Sequence, residues 1–65
     1  MSGLRKKVNE VVDFVNSNSP ELILKSVEKS GITKQNIDDF VTSKGKGSSL
    51  KTYFYLRKLF ENKSV

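Results

Sequence analysis

Apolar residues first recur at Leu4, Val8, Val11, Val12 and Val15. That spacing draws one stripe along a helix of about residues 4–16, with Lys6, Lys7, Asn9, Glu10 and Asp13 on its other sides. The β-branched valines lower intrinsic helix propensity, so packing has to hold this element. Asn16 to Ser19 is polar and turn-forming. Ser19-Pro20 then reads as an N-cap and a first helical proline, with Glu21 suited to the positive end of the helix dipole. A second helix over about 20–30 is expected to bury Leu24 and Val27, with Ile23 and Leu22 alongside.

Gly31 sits where two helices must change direction, because a left-handed backbone costs least at glycine. Ile32 can tuck into the angle between them, and Thr33 can cap the next helix, over about 33–44. Ile37, Phe40 and Val41 face a core at helical spacing. Lys34, Gln35, Asn36, Asp38 and Asp39 then point outward. Gly45 and Gly47 break the periodicity and predict a flexible basic loop with positive φ available. Ser48 or Ser49 caps a fourth helix over about 49–61, through Leu50, Tyr53, Leu56, Leu59 and Phe60, before a frayed tail at 62–65. Residues 50–57 also alternate, which leaves a C-terminal β-wing as the alternative. Helix is preferred because the apolar pattern runs on through Leu59 and Phe60, and no second strand exists to pair. The expected fold class is therefore all-α, one small four-helix domain over 1–65 with a central helix-turn-helix.

Size sharpens this picture. A chain of 65 residues buries only about 60% of its unfolded surface, so the core is thin. Without Cys or His it has neither a disulfide staple nor the usual zinc ligands. No secretory signal or membrane span is evident, and a cytoplasmic location is expected.

Charge is unevenly placed. Residues 1–43 hold six basic side chains against six acidic ones, whereas 44–65 hold six against Glu61 alone. The whole excess of +5 thus follows the third helix, which favours a polyanionic partner. Enzymatic chemistry has little to work with. His and Cys are missing, and adjacent Asp38 and Asp39 diverge by about 100° on a helix. Gly45-Lys46-Gly47 lacks the remainder of a phosphate loop. No catalytic activity and no cofactor are expected.

Gly31-Ile-Thr-Lys-Gln-Asn-Ile-Asp-Asp-Phe40, a basic loop, then Ser49-Leu-Lys-Thr-Tyr-Phe-Tyr-Leu-Arg-Lys-Leu-Phe60 resembles the phage-repressor and Cro-like helix-turn-helix family. Gly31, Ile37 and Phe40 match that family's spacing, and Ser49, Leu50 and Thr52 fit the start of its next helix. The resemblance covers about residues 20–60. Val27 departs from it, standing where the family usually has a small alanine. The resemblance implies double-stranded DNA as partner, with bases read by Lys34, Gln35, Asn36 and Asp39. Their chemistry suits adenine, guanine and cytosine edges in the major groove. It also implies phosphate contacts from Thr33, Lys44, Lys46 and Ser48. Asp38 and Asp39 oppose such an approach unless aimed at bases or away from DNA.

Tyr53-Phe54-Tyr55 sweeps about 200° of helix surface, more than one core-facing stripe. Phe54 and Tyr55 are therefore candidates for a homodimer interface; alternatively the first helix covers Phe54. The expected function is sequence-specific duplex binding by a small phage or mobile-element regulator. One alternative is an antirepressor-like protein-binding modulator that uses Asp38, Asp39 and Phe54. Another is single-stranded nucleic acid stacked on Tyr53 or Tyr55.

Overall fold

The computed structural model describes residues 2–63, and the side chains of Ser2, Leu4 and Lys63 lie outside that description. The order is α1 (Ser2–Asn16), α2 (Pro20–Val27), a 3-10 turn (Glu28–Ser30), α3 (Lys34–Thr42) and α4 (Leu50–Lys63). The described residues contain helices and no strand, so 50–57 are helical and no β-wing forms. No helix among them is long and apolar enough to cross a membrane.

The valine stripe of α1 does what its spacing predicts. Val8, Val11, Val12 and Val15 are all buried, and α1 packs against each of the other three helices. Leu4, the stripe's expected first member, lies outside the described side chains. The end of α1 is closed locally: the Phe14 carbonyl accepts from Asn18 Nδ2 at 2.6 Å and from the Ser17 N–H at 3.2 Å. Ser19 has the extended backbone of an N-cap, but its hydroxyl makes no capping bond; Pro20 starts α2. Ile23 and Val27 carry the buried face of α2, with Leu24 half-buried against the core. Leu22 is 61% exposed, contrary to expectation. It lies one position off the Ile23–Val27 line, about 100° round the helix, and so turns to solvent.

The second helix tightens before it stops. After Val27 the chain winds into a 3-10 turn, and Gly31 at φ 88° closes it with an N–H···O bond to Glu28 at 3.0 Å. Ile32, 3% exposed, then drops into the core. Phe40 of α3 is fully buried at the centre, stacked on Tyr53 of α4 with centroids 6.3 Å apart. Ile37 lies beside it in the core, while Val41 is only partly covered.

α4 departs most from its expected face. Leu50 is 81% exposed, whereas Thr52 is buried at 1% and Leu56 at 0%. Burial of Thr52 costs little because its hydroxyl is 3.0 Å from Ser49 Oγ. Ser49, and not Ser48, caps the helix, its Oγ accepting from the Thr52 N–H at 3.3 Å. Phe60 meets Phe14 of α1 edge-on, centroids 5.4 Å apart. The helix runs through Asn62 to Lys63, beyond the end expected at 61; Ser64 and Val65, the rest of the expected frayed tail, lie outside the described residues.

Candidate nucleic-acid interface

The start of α3 is built by reciprocal side-chain and backbone bonds. Thr33 Oγ1 accepts from the Asn36 N–H at 3.1 Å, and Asn36 Oδ1 accepts from the Thr33 N–H at 3.0 Å. This capping box satisfies two donors that a helix start leaves open, and it holds Thr33 and Asn36 in fixed orientation. Asn36 is half-buried, and its Oδ1 is committed to the box, which leaves only its amide N–H groups for a base edge. Lys34, Gln35, Asp38 and Asp39 are exposed, as expected.

The two aspartates are answered from their own helix. Lys34 Nζ lies 3.2 Å from Asp38 Oδ2, and Gln35 Nε2 donates to Asp39 Oδ1 at 2.9 Å. One turn separates the members of each pair. The Lys34–Asp38 pair is solvent-exposed, 65% and 53% by side chain. Such a pair is worth only about 0.3–0.5 kcal/mol. An approaching phosphate or guanine can therefore draw Lys34 away cheaply. The second of these bonds restrains Gln35 and Asp39 beside each other, the Gln35 amide holding the Asp39 carboxylate.

The stretch after α3, expected as a basic loop, begins with hydrogen-bonded turns at 43–45 and continues through bends at 46–48. The N–H of Gly45 reaches back to the Phe40 carbonyl at 2.7 Å, and that of Lys44 to Val41 at 3.1 Å. These two bonds make a Schellman cap. Its left-handed position falls on Lys44, at φ 56°, followed by Gly45 at φ 85°. α3 accordingly ends at Thr42, and Lys44 lies beyond it. Gly47, expected to share the positive φ, does not. Its N–H instead donates to Ser43 Oγ at 2.8 Å, while that hydroxyl donates to the Asp39 carbonyl at 2.6 Å. Lys44 and Lys46 are exposed, and their ammonium groups form no ion pair among the described residues.

Two cations missed by sequence reasoning belong to this region. Arg5 of α1 donates from both Nη atoms to the Lys44 carbonyl, across 39 residues of chain. The exposed Lys51 extends along the Gly31 turn; its Nζ stands 3.0 Å from where a Cβ on Gly31 would lie. No local pattern announces either contact, since both join remote segments. Lys51 brings to the turn that leads into α3 an ammonium with no ion pair among the described residues. Ser48, expected at a phosphate, has a buried Oγ with no hydrogen-bond partner among the described residues. Phe54 is 51% exposed, and the first helix does not cover it; Tyr55 is half-buried, its ring edge-on to Phe54 at 5.5 Å.

Compared with protein-family models, curated proteins and solved structures, the chain has no significant match in any of the three.

Proposed function

We propose that this chain binds double-stranded DNA in a sequence-dependent way, as a small transcriptional regulator of phage or mobile-element type. The observation that carries the reading is the pairing of a rigidly capped, exposed helix start with unpaired lysines on the segments flanking it. Thr33 and Asn36 fix the first turn of α3, Lys51 lies along the turn before it, and Lys44 and Lys46 project from the turns after it. A helix entering the major groove needs this division: base edges met by the helix, phosphates met from either side. The aspartates that would repel the backbone are already answered by Lys34 and Gln35.

In this reading Lys34, Gln35 and Asn36 read bases, with Asp39 orienting Gln35. Lys44, Lys46 and Lys51 bind phosphates and supply affinity. The roles separate in a selected site tested against random duplex. Gln35→Ala is expected to lose preference for the selected site, by about 1–3 kcal/mol, and to keep its random-sequence affinity. Lys46→Ala and Lys51→Ala weaken both duplexes alike, each flattening the salt slope by about 1. Equal losses on both duplexes for all three variants would overturn the assignment of roles.

A further inference from the structure

α4 turns a second, different surface to solvent. Leu50 and Phe54, one turn apart, are 81% and 51% exposed. Few large apolar side chains are available to so short a chain, and two of them stand together outside its core. Lys51 and Lys58 flank them, with Lys58 Nζ 5.5 Å above the Phe54 ring. Arg57 borders the same stripe and is bonded by Glu61, Nε to Oε2 at 3.1 Å. That hydrogen bond and the nearby carboxylate charge hold the guanidinium's pKa above its ordinary value.

The surface is also concave. A depression of about 440 Å³ lies among Leu50, Lys51, Tyr53, Phe54 and Arg57. A second, of about 420 Å³, continues toward α1, where Arg5 and Val8 form its far wall; the two share Leu50 and Tyr53. Ser48 Oγ is buried near this second hollow with no hydrogen-bond partner among the described residues. The result is an apolar groove with a cationic margin.

We infer that this groove docks an acidic amphipathic helical segment of another protein, with its large apolar side chains seated between Leu50, Tyr53 and Phe54. Carboxylates on its flanks meet Lys51 and Lys58. Charge decides against a second copy of this chain as the occupant. An antiparallel pair of α4 helices centred on Phe54 would set Lys51 of one copy opposite Arg57 of its partner, three residues to either side. Leu50 would face Lys58, an apolar side chain against an ammonium. Like charges so placed repel, whereas an acidic helix turns the same groups into attraction. The groove is independent of the proposed DNA contacts except at Lys51, which borders both.

The test uses the full chain, labelled with ¹⁵N, and a peptide of about fifteen residues, a length that is only marginally helical when free. The peptide carries Leu and Phe one turn apart on a face flanked by glutamates. A second peptide has lysines in their place. Saturable shifts at Leu50, Phe54 and Lys58 with the acidic peptide alone are expected. Phe54→Ser is expected to weaken its binding about tenfold, as loss of an aromatic anchor does. Lys58→Glu also weakens it, and this variant changes only a surface charge should Phe54→Ser fold poorly. Phe54→Ser, which changes no charge, retains wild-type affinity for random duplex, which keeps a failure here distinct from a failure of the DNA reading. Absence of saturable shifts, equal binding of the two peptides, or shifts confined to α3 would overturn the proposal. So would a dimer of the free chain in sedimentation that Phe54→Ser dissolves, since that makes a second copy the occupant.

Discussion

Arg5 donates from both Nη1 and Nη2 to the carbonyl oxygen of Lys44, each at 3.2 Å. That carbonyl lies just past the last turn of α3, where the helix offers it no partner. The guanidinium thus ties α1 to the basic turns that follow α3. Because the contact is exposed, a charge-assisted bond of this kind contributes about 1 kcal/mol. Arg5→Ala should lower the unfolding free energy by that amount, read as a lower urea midpoint at an unchanged slope, and Arg5→Lys should recover only part of it. A midpoint for Arg5→Ala identical to that of the unaltered chain would show that the tie contributes nothing.

Adjacent residues in the same turn should respond with opposite sign. Lys44 occupies the left-handed region at φ 56°, a conformation that costs a side-chain-bearing residue about 1 kcal/mol. Lys44→Gly should therefore raise stability by up to about 1 kcal/mol. At Gly45, φ is also positive, and an added Cβ would collide with Val8 Cγ1 in the core. Gly45→Ala should cost more than about 2 kcal/mol, through strain and overpacking together. Equilibrium unfolding of the two variants checks this directly; the same sign for both would contradict the geometry.

The capping box sets a third expectation. Thr33→Ala removes the acceptor of the Asn36 N–H, at a cost of about 1 kcal/mol, while Thr33→Ser retains most of it. Exchange of the Asn36 amide hydrogen should quicken in the alanine variant. Combining Thr33→Ala with Asn36→Ala should cost less than the sum of the two, since each removes half of one reciprocal arrangement. Strict additivity would mean that the two bonds act separately.

The centre of the fold was legible because its rules are local. Gly31, Ile32, Thr33, Ile37 and Phe40 each obey a turn, cap or periodicity rule within one short stretch, and each takes the role so predicted. Leu22 and Leu50 show where such rules stop. Periodicity reports that a helix has an apolar face, but only the neighbouring helices decide where that face ends, and both leucines fall outside it. Thr52 takes a core position because Ser49 supplies its hydroxyl with a partner, a possibility hydrophobicity alone does not register. Phe14 went unmarked for a related reason: it stands off the valine stripe and meets Phe60 from the far end of the chain. In the candidate site, the exposure of Lys34, Gln35 and Asp39 followed from the helix pattern. The positions of Arg5 and Lys51 depend on contacts between remote segments.

The most direct measurement of the central claim is fluorescence anisotropy of a labelled random-sequence duplex titrated with the chain at two salt concentrations. Three phosphate contacts, from Lys44, Lys46 and Lys51, imply a weakening of about fortyfold between roughly 50 and 200 mM salt. Binding at low salt that falls by that order supports α3 and its flanking lysines as a duplex-binding surface. No binding at about 50 mM salt, or binding indifferent to salt, would contradict the account.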